Sequence, residues 1–113
     1  MPLVIILPLL PLIAVLLYAF ILFDRLLRSE YQHHRNLWEA DGRPAGFFWH
    51  APECEFITSH LVRSRLVFSW LFRTPSWIMG SPEFTKQLRN HRWAVLLWNV
   101  GVLVWAVFFW RLT

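Results

Sequence analysis

Two long uncharged blocks limit what this chain can fold into. The first runs for 22 residues from Pro2 to Phe23, and the second runs for 18 residues from Trp93 to Trp110. Each approaches the roughly 20 apolar residues that cross a bilayer core about 30 Å thick as a helix. Only 16% of the chain is charged, against about 25% in ordinary soluble domains. The sequence therefore predicts two transmembrane helices and argues against a free soluble globule.

The first block differs from a signal peptide in its details. It has no basic segment before the apolar run and no small-residue cleavage site before Asp24, and it exceeds the usual apolar length of roughly 7 to 15 residues. We therefore expect the block, residues 2–23, to stay as a membrane anchor. Its helix is expected to continue as an amphipathic helix to about residue 38, with its charged side chains, Glu30 among them, away from the apolar face.

The basic residues place the segment between the two spans in the cytoplasm. Ten of the 11 Lys and Arg residues lie in residues 24–92, and Arg111 alone follows the second block. The positive-inside rule then leaves both termini outside. Ten basic and seven acidic residues give this segment a net charge of +3, which is too small an excess to indicate a nucleic-acid partner. Membrane lipids are the partners that the charge pattern favours.

The central loop, residues 39–80, is rich in aromatic and turn-forming residues. Phe47, Phe48 and Trp49 follow a turn-rich break, and we expect them to dock on a protein surface, because three adjacent exposed rings make a large apolar patch. A helix is expected at about 59–73. It is too short to span the bilayer and is expected to lie in the membrane interface. Side chains expected at that interface, from this loop and from the ends of the second span, are Arg63, Arg65, Trp70, Arg73, Trp77, Arg92, Trp93, Trp110 and Arg111.

A long helix over 81–110 is expected to contain the second span, 93–110. Ser81, Pro82 and Glu83 are typical of a helix start: an N-cap hydroxyl, a proline that misses no donor and an acid near the positive end of the helix dipole. This start predicts that about ten residues of the helix precede the bilayer.

The second span carries a stripe of small and aromatic residues. Ala94, Trp98, Gly101 and Trp105 follow intervals of four, three and four residues, so they share a helix face on which small residues allow close approach. Asn99 is the only strongly polar side chain in the span, and we expect it to hydrogen bond to another helix. This face contacts either the first helix of the same chain or another subunit.

Several short motifs are spread over the central segment and the start of the last helix. They are Gly46-Phe47-Phe48, Arg65-Leu66-Val67 and Glu83-Phe84, followed by Arg89 and Arg92. A small two-span membrane protein with this layout resembles universal stress protein B. The resemblance implies a bacterial inner-membrane hairpin linked to stress physiology, with no catalytic residues to carry over.

The chemical inventory favours a structural role. Five histidines lack the spacing of a metal site, and the single cysteine, Cys54, excludes an intrachain disulfide. We expect no catalytic, metal or cofactor site, and hence no enzyme. The expected fold is an all-α membrane protein, a two-transmembrane-helix hairpin whose cytoplasmic loop contains short amphipathic or interfacial helices.

Three classes of function are compatible with this fold. The first is a non-catalytic accessory subunit that stabilises or helps to assemble a larger integral-membrane complex, for example a respiratory or photosynthetic one. The second is a free-standing stress-response protein of the universal stress protein B type that associates with itself. The third is a small redox or metal-binding subunit. We take the first as the expectation, because the second span presents a stripe suited to helix contact.

Overall fold

The structure, a computed structural model, describes residues 3–112, and all regular secondary structure in this range is helical. The helices are α1 (Leu3–Ile6), α2 (Leu9–His33), α3 (Arg35–Ala40), α4 (Phe56–Phe72), α5 (Ser76–Met79) and α6 (Pro82–Leu112). The predicted all-helical class is confirmed. Pro2, with which the first predicted span begins, lies outside the described residues.

Two helical stretches in the described range are long and apolar enough to cross a membrane. They cover Leu3–His33, with a mean hydropathy of 2.8 in its most apolar window, and Pro82–Arg111, with a mean hydropathy of 1.9. Only 11% and 6% of these windows are buried within the chain. Such exposure is unlike that of the core helix of a soluble protein and leaves broad apolar faces that a bilayer can cover.

Proline interrupts the first stretch near its start. The helical pattern breaks between α1 and α2 at Leu7 and Pro8, because proline has no N–H to donate and its ring crowds the preceding turn. The amide of Leu7 still donates to the carbonyl of Leu3 at 2.8 Å, and that of Leu10 donates to the carbonyl of Leu7 at 3.2 Å. The chain therefore keeps its helical course through the turn.

The two long helices pack side by side and run in opposite directions. The indole Nε1 of Trp105 donates to the carbonyl of Ile5 at 2.7 Å, and the ring of His91 bonds to the carbonyl of Ala19 at 2.8 Å. Residue numbers therefore rise along one helix as they fall along the other. Gly101 lies between these two contacts, directly against the side chain of Leu12.

The first long helix ends sooner than the amphipathic pattern predicts. His34 leaves helical geometry, with φ −137° and ψ 52°, and separates α2 from α3. The bend accompanies the complete burial of Trp38, whose Nε1 donates to the carbonyl of Pro44 at 3.1 Å. In place of one helix continuing to residue 38, the structure has two helices separated at His34, and the indole of Trp38 in the second is buried and hydrogen bonded.

The core lies along the C-terminal half of α2, where the central loop folds back on it. Phe23 contacts Trp70 of α4 with ring centroids 5.1 Å apart, and Trp77 of α5 contacts Phe84 of α6 at 5.4 Å. Helix α4 ends where Arg73 becomes extended, two residues before a proline that disfavours helical geometry at its predecessor. The fully buried apolar side chains here include Phe23, Leu26, Leu27, Trp38 and Ile78.

Candidate functional site

Asp24 fixes the aromatic loop to the first span. It follows the first apolar block directly, and only 7% of its surface is exposed. Its Oδ1 accepts the backbone N–H of Phe47 at 2.7 Å. Its Oδ2 accepts those of Phe48 at 2.7 Å and Trp49 at 3.1 Å. Three donors compensate the carboxylate for its loss of water. We call Asp24 together with residues 46–49 the loop anchor.

Gly46 is required by the close packing of the loop anchor. Its N–H donates to the carbonyl of Trp49 at 2.8 Å. A Cβ atom at this position would lie 2.6 Å from Oδ1 of Asp24 and 2.7 Å from the carbonyl oxygen of Trp49. Real Cβ atoms do not approach other atoms so closely, so a glycine is what allows the backbone to reach the carboxylate.

The rings of the loop anchor pack mainly on the chain itself. Phe47 stacks on Phe20 with ring centroids 3.9 Å apart. The guanidinium carbon of Arg63 lies 4.5 Å from the centroid of the Phe47 ring. Trp49 meets Tyr31 edge-on at 5.4 Å. Phe48 remains 63% exposed. Of the three rings predicted to dock on a protein surface, the structure thus leaves Phe48 as the most available for a partner.

A second tether joins the loop to α2. The hydroxyl of Tyr31 donates to Oε2 of Glu53 at 2.6 Å, and Arg35 lies 3.8 Å from Oε1 of the same carboxylate. The hydrogen bond from Tyr31 is the main reason why the pKa of Glu53 lies below its ordinary value. Both ends of the segment between the loop anchor and α4 are therefore held on the first long helix.

The burial of two polar side chains, Glu30 and His91, could not be predicted from the sequence. Glu30 is 1% exposed, and its Oε2 accepts the indole N–H of Trp77 at 2.9 Å. His91 is also 1% exposed. Within residues 3–112, Nε2 of His91 has no hydrogen-bond partner. The amphipathic pattern places Glu30 away from the apolar face, whereas the fold covers it with α5.

The side chains predicted at the membrane interface divide into two groups. Trp70 and Trp77 are buried, Arg63 donates to the carbonyl of Gly46 at 3.0 Å, and Arg92 donates to the carbonyl of Trp70 at 2.8 Å. These four lie against the core because α4 and α5 fold onto α2 and α6. The exposed members of the set are Arg65, Arg73, Trp93, Trp110 and Arg111.

The stripe on the second span largely faces the first helix of the same chain. Ala94 is 4% exposed, and Gly101 and Trp105 make the contacts with α1 and α2 described above. Trp98 is half-buried. Asn99 is exposed, and its Nδ2 donates to the carbonyl of Val95 at 2.7 Å within its own helix. Of the two alternatives for this face, the structure shows contact within the chain.

An apolar groove of about 460 Å³ opens beside that contact, between the N-terminal part of the first long helix and the C-terminal part of α6. We call it the outer groove, because the topology predicted from the basic residues places this end outside the cytoplasm. Pro8, Pro11 and Leu12 line one side of it, and Val104, Trp105 and Phe108 line the other. Gly101, which has no side chain, allows the second helix to lie directly against Leu12 at the edge of the groove.

No protein-family model, no characterised protein and no solved structure matches this chain. The resemblance to universal stress protein B rests on short motifs and stays a prediction. Within the described range, His, Cys, Asp and Glu side chains form no group of three or more that could hold a metal ion.

Proposed function

We propose that this chain is a non-catalytic accessory subunit that stabilises or helps to assemble a larger integral-membrane protein complex. The outer groove is the observation that carries the proposal. Lipid tails are as apolar as leucine, so helices associate in a bilayer through close packing and hydrogen bonding. A concave apolar surface of about 460 Å³ gives the ridge of a partner helix a place to pack.

The cytoplasmic side offers a second surface in this proposal. Helix α4 exposes a row of large apolar side chains, between 66% and 82% of each: Phe56, Ile57, Leu61, Phe68 and Phe72. Exposed Arg65 and Arg73 flank them. A short helix with such a face lies in the interface plane, where its basic side chains meet anionic headgroups. The helix then holds the loop at a fixed height beside the membrane.

The proposed topology predicts the reactivity of Cys54. This side chain is half-buried, and the basic asymmetry between 24–92 and Arg111 places it in the cytoplasm. We expect an impermeant thiol reagent to leave Cys54 unmodified in intact cells and to modify it after the membrane is permeabilised. A reporter that is active only outside the cytoplasm should be active when fused after Thr113. Activity only of a reporter that works inside the cytoplasm would reverse the assigned topology.

The outer groove predicts which substitutions on the second span release the chain from its complex. Val104→Trp should fill the groove and lower retention in the complex at least fivefold, because a partner helix can no longer pack there. Val100→Trp is the matched control, since Val100 lies one turn earlier on the same helix and is also exposed but does not line the groove.

Retention is measured as the amount of partner that co-purifies with an equal amount of each tagged variant in mild detergent. Full retention of Val104→Trp would exclude the outer groove as the docking surface. Equal loss with Val100→Trp would point to the whole lipid-facing side of the helix instead of the groove.

A further inference from the structure

A second, smaller groove lies at the inner end of the first span, between α2 and the loop anchor. Its volume is about 200 Å³, and it is lined by Ile21, Asp24, Arg25, Arg28, Phe48 and Trp49. We call it the basic groove. One wall is helical and the other is the loop that Asp24 holds through three backbone hydrogen bonds, so both walls are in place before any ligand arrives.

The two arginines in this groove have unpaired positive charges. Arg25 and Arg28 are one helical turn apart on neighbouring surface positions, and both are exposed. Within residues 3–112 neither guanidinium has an ion-pair or hydrogen-bond partner. Asp24 does not neutralise them by direct contact, because both of its oxygens accept backbone N–H groups of the loop. Two guanidinium groups beside an apolar ring suit an anion that carries an apolar part.

The position of the groove selects the anion. Arg25 and Arg28 lie two and five residues after Phe23, the end of the apolar stretch, and charged side chains are costly in the hydrocarbon core. They therefore lie at the depth of the phosphate groups. Guanidinium groups bind phosphate oxygens with two parallel hydrogen bonds, while Ile21 and exposed Phe48 offer apolar surface next to them.

We propose that the basic groove binds one anionic phospholipid, with the headgroup phosphate on Arg25 and Arg28 and the first acyl carbons against Ile21 and Phe48. An anionic lipid is favoured over a zwitterionic one, because two neighbouring arginines repel an added ammonium group. The proposal rests on the first span being in the membrane and is independent of the accessory role. A chain that purifies without a partner still binds the lipid.

The test is a titration of the full-length chain in neutral detergent, followed by native mass spectrometry, with dioleoyl phosphatidylglycerol as the probe. We expect one lipid per chain, and binding about 30-fold weaker in the double variant Arg25→Gln/Arg28→Gln. The matched control is Lys86→Gln/Arg89→Gln, which removes two exposed charges at the same spacing from α6. It should change the affinity less than threefold. Phe48→Ser, which changes no charge, should weaken binding about fivefold.

Two further arms identify the source of the phosphate. Dioleoyl phosphatidylcholine should bind at least tenfold more weakly than phosphatidylglycerol, and millimolar inorganic phosphate should fail to displace the bound lipid. Equal losses in the two charge-neutralised variants would overturn the site in favour of general surface attraction. Displacement by inorganic phosphate, or equal binding of both lipids, would likewise contradict an anionic phospholipid site.

Discussion

Replacing Asp24 by Ala should lower the free energy of unfolding by about 3 kcal/mol and release the aromatic loop from the first helix. The substitution removes the acceptor of three part-buried backbone N–H groups, and a buried donor left without a partner costs roughly 1 to 3 kcal/mol. The measurement is denaturant unfolding of the full chain in detergent, combined with limited proteolysis of residues 43–55. Cleavage in that segment should accelerate strongly.

Two variants make this result specific. Asp24→Asn keeps one carbonyl oxygen and should fall between the wild type and Asp24→Ala. Glu39→Ala removes an exposed carboxylate that pairs with Arg43 at 3.9 Å on the surface, and it should change stability by less than about 0.5 kcal/mol. If Asp24→Ala is no more destabilising than Glu39→Ala, the carboxylate does not hold the loop.

Gly46→Ala should destabilise the chain by about 2 kcal/mol, because its Cβ would be forced against Oδ1 of Asp24 and the carbonyl of Trp49. Overpacking of a close site costs about 1 to 3 kcal/mol. Gly80→Ala is the matched control: a Cβ there meets nothing within 4 Å. It should change stability by less than about 0.5 kcal/mol.

The two substitutions should also be coupled. Since Asp24 supplies two of the three nearest atoms that a Cβ on Gly46 would meet, Asp24→Ala/Gly46→Ala should be less destabilised than the sum of its single variants. The double-mutant cycle is measured by the same unfolding experiment. Strict additivity would mean that the alanine methyl group is accommodated without moving the carboxylate.

The sequence predicts the two long helices well, because the length of their apolar runs does not depend on how the helices pack. It also predicts the start of α6: Ser81 Oγ accepts the N–H of Phe84 at 3.3 Å, as an N-cap does. The bend at His34 is less accessible to prediction. It accompanies the burial of Trp38, whose indole N–H donates to the carbonyl of Pro44 six residues later, and such a contact is not visible in the amphipathic pattern.

The candidate site was only partly accessible from the sequence. The aromatic cluster Phe47–Trp49 predicts burial, but the pattern does not say against which surface, and the structure supplies the chain's own α2. In the sequence, Asp24 is simply the charge that ends an apolar block. The backbone donors that it accepts lie 23 to 25 positions further along the chain, so no local pattern predicts them. The burial of Trp70 and Trp77 was not predictable either, because tryptophan is common both in protein cores and at membrane surfaces.

The mass and composition of the particle that carries this chain after extraction in mild detergent test the accessory role most directly. The tagged full-length chain is purified, and the particle is sized by light scattering and its subunits are counted by mass spectrometry. We predict a particle much larger than one chain of 13.6 kDa with its detergent, containing other integral-membrane subunits in fixed ratio to this one. A particle that holds this chain alone, or copies of it only, would contradict the accessory role and favour a free-standing membrane protein.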